Sequence, residues 1–138
     1  MQRSILIIDP DAGSAQTTQV GIMRGIPNVL ATVAVQPEGS WPALADRDPD
    51  ILIIDPSPHS LSGVNLIQRL RERSPEVAIV VLASKPTPAL RQIARELGVD
   101  VYLEKPMALP SLLAHLEQLL ERLRLPPVAM PVEYPAVS

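Results

Sequence analysis

The sequence predicts an α/β protein in which helices cover both faces of a doubly wound, five-stranded parallel sheet. One observation is that short, unbroken apolar runs alternate with segments of helical periodicity, as expected for strands buried on both faces. Another is that the hexapeptide Ile-Leu-Ile-Ile-Asp-Pro occurs twice, at residues 5–10 and 51–56. Because proline cannot donate to a strand ladder, each copy ends a strand. Asp9 and Asp55 therefore reach the carboxyl edge of the sheet, where open α/β sheets bind their ligands.

Predicted strands and helices alternate along the whole chain. The strands cover residues 5–8, 29–35, 51–54, 77–82 and 100–103. The helices cover residues 12–24, 40–44, 64–73, 88–97 and 109–124. Local signals support them in chain order: Gly13 and Gly21 make the first helix weak, and Ser40 caps the second. Thr87 caps the fourth helix, which has proline at its first position and ends at Gly98.

The most apolar strands are the first, third and fourth, and we expect them at the centre of the sheet. The resulting order is 2-1-3-4-5, that of a flavodoxin-like sheet with right-handed crossovers. A chain of 138 residues fits one domain with its own core, which we expect over residues 1–124. Four prolines in residues 125–138 indicate an extended tail or linker.

Composition and charge narrow the classes of function. The chain is 46% hydrophobic and 20% charged, which is typical of a soluble globular protein. A net charge of −3 gives no electrostatic footprint for nucleic acid or an anionic membrane. The absence of cysteine excludes disulfides and thiol chemistry, and the first apolar run is too short for a signal or membrane segment. We therefore expect a cytoplasmic protein with no nucleic-acid or membrane partner.

Asp9, Asp55 and Lys105, which follows the fifth strand, are expected to meet at the carboxyl edge. Two carboxylates about 5 Å apart repel by roughly 3 kcal/mol at an effective dielectric of about 20, so the pair needs a cation. Magnesium is usually held by one or two carboxylates together with phosphate oxygens. The cluster therefore favours phosphate-plus-magnesium chemistry on an aspartate, a known covalent acceptor. A structural ion-pair cluster is the alternative.

Over residues 3–124 the chain resembles the receiver domains of bacterial two-component response regulators. The resemblance rests on the acid that ends strand one, on Asp55 with Gly63 eight residues later, and on Tyr102 followed by Lys105-Pro106. It implies that Asp55 is the phosphoacceptor, Lys105 the phosphoryl-binding lysine and Tyr102 the aromatic switch. It also implies a cis bond before Pro106.

A magnesium site is also implied by the resemblance. Asp9 and Asp55 would bind the ion together with the backbone carbonyl of Ser57. The family usually has a second acid directly after the first, but this chain has Pro10 there. Asp11 is the nearest substitute, on a differently directed stretch of backbone. We therefore expect magnesium affinity to be low.

The end of strand four is a second departure from the family pattern. The family places Thr or Ser there, where the hydroxyl binds the phosphoryl group and takes part in the switch, but this chain has Ala83. Ser84 follows and is a substitute phosphoryl ligand, although successive side chains point to opposite faces and aim its hydroxyl away. One missing charge-assisted hydrogen bond is worth about 1.5–3 kcal/mol, comparable with the energy that flips a switch.

Two functions remain open, and both describe a signalling module rather than an enzyme. In one, the chain is a phosphorylation-driven switch that receives its phosphoryl group from a histidine kinase or phosphotransfer protein. In the other it is a pseudo-receiver, an interaction module that does not need phosphate. A flavodoxin-like enzyme or nucleotide binder is disfavoured, because no Gly-rich loop follows strand one and almost no aromatics exist to stack a ring. We interpret His59 as a solvent-exposed loop residue, since the acid and glycine of a cobalamin-binding pattern are missing.

The final helix predicts self-association through residues 87–124. Leu109, Leu113, Leu116, Leu120 and Leu123 are spaced four, three, four and three, which forms one apolar seam. A broad stripe that faces only the sheet is the simpler interpretation. In the other, one flank of the helix packs on a second copy, and charged residues of both signs pair across a two-fold axis.

Overall fold

The structure, a computed structural model, describes residues 2–35, 48–56 and 62–124. Its elements are β1 (Arg3–Ile8), α1 (Ala12–Gly25), β2 (Val29–Ala34), β3 (Ile51–Ile54), α2 (Ser62–Arg73), β4 (Ala78–Ala83), α3 (Pro88–Glu96), β5 (Val101–Glu104) and α4 (Leu109–Arg124). All strand pairings are parallel, in the order β2-β1-β3-β4-β5. The predicted fold class and strand order are thus confirmed. The predicted helix at 40–44, the residues Ser57 and His59, and the tail at 125–138 lie outside the described residues.

Strand pairing, rather than apolar character, sets the ends of several strands. β1 begins two residues before its apolar run, because Arg3 pairs with Val29 and donates its N–H to the Asn28 carbonyl at 2.9 Å. β4 and β5 each end one residue later than predicted. There the Lys105 N–H donates to the Ala83 carbonyl at 2.8 Å. This last bond ties the residue after β5 to the end of β4, next to the predicted site.

The two copies of the repeated hexapeptide lie side by side. β1 and β3 pair in register, Ile5 with Ile51 through Ile8 with Ile54. The Asp55 N–H continues the ladder by donating to the Ile8 carbonyl at 2.9 Å. The equal lengths of the two apolar runs therefore bring both aspartates to the same height at the carboxyl edge.

The core is divided by the sheet into two layers. On one face, alternate residues of the central strands pack with α1 and α4; on the other, the intervening residues pack with α2 and α3. All four residues of β3 are at most 2% exposed, which explains its uninterrupted apolar run. None of the helices in the described segments is both long and apolar enough to cross a membrane.

Helix α4 uses most of its leucine stripe to cover the sheet. The buried members are Leu112, Leu116, Leu119 and Leu120, whereas Leu109 is 39% exposed. Two charged residues of the predicted interface pair within the chain: Arg122 with Asp100 at 2.9 Å, and Arg91 with Glu104 at 2.7 Å. Most of the stripe is thus accounted for by the core, and the homodimer remains a prediction.

Candidate functional site

Asp9 and Asp55 are the two buried carboxylates of the carboxyl edge, at 4% and 5% exposure. They follow the last residues of β1 and β3, so the in-register pairing of these strands sets their proximity. Few carboxylates are this buried unless they are paired. The sequence-based expectation that these residues lie together agrees with their position here.

Lys105 lies between the two carboxylates and binds both. Its Nζ donates to Asp9 Oδ2 at 2.7 Å and to Asp55 Oδ2 at 3.2 Å. A third bond runs to the hydroxyl of Ser14 in the first turn of α1, at 3.1 Å. The lysine therefore joins β1, β3 and α1 at one nitrogen atom.

The remaining carboxylate oxygens are held by backbone amides. The Asp11 N–H donates to Asp9 Oδ1 at 2.9 Å, and the Ser84 N–H donates to Asp55 Oδ1 at 3.2 Å. Every oxygen of the two buried carboxylates thus has a donor. These hydrogen bonds fix both side chains in orientation.

The pKa of Lys105 is raised above its ordinary value of 10.5. Burial by itself lowers this pKa, but the hydrogen bond to Asp9 and the charge of Asp55 together outweigh burial. The ammonium is therefore fully charged at neutral pH. One positive charge faces two negative charges, so the cluster keeps a net attraction for a further cation.

Of the side chains expected to hold magnesium, two carboxylates in the described segments are placed to do so. Pro10 is exposed and offers no ligand side chain. Asp11, also exposed, caps α1 by accepting the Ser14 N–H at 3.1 Å, so its carboxylate serves the helix start. In the described part of the chain no three His, Cys, Asp or Glu side chains form a metal cluster. Asp9 and Asp55 still fit the minimal set that magnesium uses when phosphate oxygens and water complete its shell.

The end of β4 contributes a backbone group to the site. Ala83 is fully buried as the last residue of the strand. Ser84 is exposed, and it contacts Asp55 through its backbone N–H, which donates to Asp55 Oδ1, rather than through its hydroxyl. Ser84 therefore contacts the site by a route that the sequence pattern did not indicate.

Tyr102 takes part in a surface cluster next to the site. Its hydroxyl donates to Glu104 Oε2 at 3.1 Å, and the Arg91 guanidinium lies over its ring at 5.8 Å from the centroid. Burial and the hydrogen bond to Glu104 raise the pKa of Tyr102. The hydrogen bond from Arg91 lowers the pKa of Glu104. The cluster joins α3 to β5 and holds the tyrosine ring at its present position.

Gly63, part of the sequence pattern, has a steric explanation. A Cβ at this position would lie 3.0 Å from Pro56 Cβ and 3.1 Å from Pro56 Cα. A side chain at this position would have to push Pro56 away by a few tenths of an ångström, so the close approach of α2 to the residue after Asp55 favours glycine. The Lys105–Pro106 bond is cis, as the resemblance implied.

Sequence reasoning missed Ser14 and Glu104. Ser14 is three residues after the Asp11 cap, on the turn of α1 that faces the end of β5. Its only sequence signal is that position in the first turn after strand one. Glu104 lies two residues after Tyr102, on the same face of β5, and that spacing would have indicated a contact.

Comparison with known proteins gives one consistent result. The family model described as the response regulator receiver domain matches residues 5–117. The response regulator MprA of Mycobacterium ulcerans is 29% identical over 126 residues, which are 91% of this chain and 53% of that protein. MprA of Mycobacterium avium is 29% identical over 119 residues, covering 86% of this chain and 51% of that protein. The chain thus spans about half the length of these curated relatives.

Solved structures agree on the fold. A CheY-like receiver domain protein from Methanospirillum hungatei has a TM-score of 0.78 at 18% identity, with 88% of this chain and 96% of that chain covered. A Francisella receiver domain has a TM-score of 0.76 at 21% identity, with coverage of 89% and 100%. At such identities the likeness concerns the fold alone.

Proposed function

Because the chain belongs to the response regulator receiver domain family, we propose that it accepts a phosphoryl group on Asp55 from a histidine kinase or phosphotransfer protein. The observation that carries the proposal is the contact of a buried Asp55 carboxylate with Lys105 at 3.2 Å, beside Asp9. In the described segments, only Asp9 shares this burial and lysine contact, at 2.7 Å. The resemblance to receiver domains assigns Asp9 to the metal and Asp55 to the phosphoryl group. In this role the chain transmits a signal and is not itself an enzyme.

The proposed step is a phosphoryl transfer from nitrogen to oxygen. An Asp55 carboxylate oxygen attacks the phosphorus of a phosphohistidine, the phosphorus–nitrogen bond breaks, and the imidazole nitrogen keeps the electron pair. The product is an acyl phosphate on Asp55. Lys105 faces the new negative charge and stabilises it, and Asp9 keeps Lys105 oriented.

Magnesium fits this site through Asp9 and Asp55, with the Ser57 carbonyl as a further expected ligand. When bound, it supplies positive charge to the phosphoryl oxygens. Since Pro10 replaces the usual second acid, the site has few protein ligands and we expect low affinity.

Acetyl phosphate with magnesium tests the proposal. We expect the intact mass of the wild-type chain to increase by one phosphoryl group, and Asp55→Asn to abolish this increase. Asp50→Asn is the matched control: Asp50 precedes β3 at the opposite edge, where it binds the Ser4 N–H at 2.8 Å. Label that persists in Asp55→Asn would show that another residue is the acceptor.

A pseudo-receiver is the second candidate, and two positions favour it. Pro10 removes a metal ligand and Ala83 removes the hydroxyl that would bind the phosphoryl group. Under this alternative, beryllofluoride, a phosphoryl mimic, would leave the backbone amide spectrum unchanged at saturating magnesium. Shifts centred on Asp55, Ser84 and Lys105 would argue against it.

A further inference from the structure

Ser14 is held in place by backbone contacts on both sides. Its N–H donates to the Asp11 cap at 3.1 Å, and its carbonyl accepts from the Thr18 hydroxyl at 3.0 Å. Its hydroxyl is 3.1 Å from Lys105 Nζ. The start of α1 therefore presents a fixed, neutral acceptor to the lysine of the site.

The hydrogen bonds of Lys105 are fully used. An ammonium group has three N–H donors, and Lys105 directs them to Asp9, Asp55 and Ser14. A phosphoryl group on Asp55 needs one of these donors. A bond from the ammonium to a charged carboxylate is stronger than its bond to a neutral hydroxyl. Ser14 is therefore easier to release than Asp9, which stays a carboxylate when Asp55 is phosphorylated.

We propose that Ser14 is a positioning residue for Lys105: it holds the ammonium toward α1 in the resting protein and is the partner that Lys105 exchanges for a phosphoryl oxygen. This inference rests on the function proposed for Asp55. In the resting protein, the Ser14 hydroxyl on the helix after β1 would compete with an incoming phosphoryl oxygen for the Lys105 ammonium. Removing the hydroxyl then removes that competitor.

Beryllofluoride affinity in magnesium tests the exchange. We expect Ser14→Ala to bind the mimic about ten- to a hundredfold more tightly than the wild type, the range that corresponds to loss of one hydrogen bond to a charged group. Ser14→Thr keeps a hydroxyl and should bind beryllofluoride with wild-type affinity. Thr17→Ala is the matched control, because the exposed Thr17 hydroxyl bonds the Gly13 carbonyl within the same helix turn.

A second readout does not depend on phosphoryl chemistry. The chain contains two lysines, Lys85 and Lys105, so lysine-labelled protein gives two side-chain NMR signals. The Lys105 signal should shift in Ser14→Ala and stay in place in Thr17→Ala, while the exposed Lys85 serves as an internal reference.

The outcomes separate this inference from the proposed function. Equal beryllofluoride affinity in wild type, Ser14→Ala and Ser14→Thr would overturn the role of Ser14 and leave Asp55 as acceptor. Weaker binding by Ser14→Ala would also overturn it. No binding by any variant, with a Lys105 signal that still shifts in Ser14→Ala, would overturn the proposed function together with the exchange that rests on it.

Discussion

At the scale of single residues, the site depends on how many donors and charges Lys105 and its neighbours supply. Lys105 neutralises one of two buried carboxylates and orients both. Ala83 and Pro10 each lack a group that would bind a phosphoryl oxygen or a metal. A ligand shifts a conformational equilibrium only by its differential affinity for the two states. The native chain should therefore respond only slightly to a phosphoryl mimic.

Restoring the missing groups should enlarge that response. We expect Pro10→Asp to increase magnesium affinity and Ala83→Thr to strengthen beryllofluoride binding. Ala83→Val is the matched control for the second change, because valine has the shape of threonine without the hydroxyl. Ala83→Thr and Ala83→Val both crowd a fully buried position, and each should cost about 1–3 kcal/mol of stability.

On addition of beryllofluoride, the amide spectra of the Pro10→Asp/Ala83→Thr double variant should change more than those of wild type. Equally large changes in both would mean that Ser84 or Asp11 already supplies these contacts.

Tyr102 provides a test by pH. Burial, followed by the hydrogen bond to Glu104, raises its pKa, so the folded chain favours the neutral phenol. The associated stability is fully present below the ordinary tyrosine pKa of 10.0 and is lost as pH rises through the higher folded value. Glu104→Ala should lower the pKa of Tyr102. Phenolate absorbance in a Tyr134→Phe background measures it, with Glu96→Ala as control; an unchanged titration in Glu104→Ala would contradict the cluster.

At the scale of helices and strands, apolar runs were sufficient to predict the central strands β1, β3 and β4, because strands buried on both faces have no polar break. The ends of β1, β4 and β5 were not predictable in this way, since hydrogen bonds to neighbouring strands set them. In-register pairing of the repeated hexapeptide brought Asp9 and Asp55 together as expected. The Ser14 contact depends on the angle at which α1 leaves β1, which no local pattern encodes.

The close packing of α2 against the residue after Asp55 gives an element-scale prediction. Gly63→Ala should destabilise the chain by about 1 kcal/mol, because overpacking costs about 1–3 kcal/mol and alanine recovers part of that through helix propensity. Gly13→Ala is the matched control in the first turn of α1, where a Cβ would meet only Asp11 Oδ1, at an ordinary 3.4 Å. Urea unfolding measures both. Equal effects would show that Pro56 can move aside freely.

At the scale of the whole molecule, self-association remains a prediction, but the residues that could support it differ from the leucines that suggested it. The leucines that suggested it are largely buried in the core, with Leu116 fully so. An interface on residues 87–124 would then rest mainly on charged groups such as Arg95 and Glu117. We expect association at micromolar concentration to weaken as salt rises, because exposed ion pairs are screened. Sedimentation measures this; a monomer at every salt concentration, with and without beryllofluoride, would contradict the homodimer.

The most direct test of Asp55 as phosphoacceptor is peptide mapping of wild-type chain phosphorylated by acetyl phosphate over a range of magnesium concentrations. Cleavage after arginine places Asp9 in residues 4–24 and Asp55 in residues 48–69, so the two buried acids separate. We expect all label in residues 48–69, on Asp55, with a magnesium requirement that falls in Pro10→Asp. Label in residues 4–24, or no label in either protein at saturating magnesium, would contradict phosphorylation of Asp55.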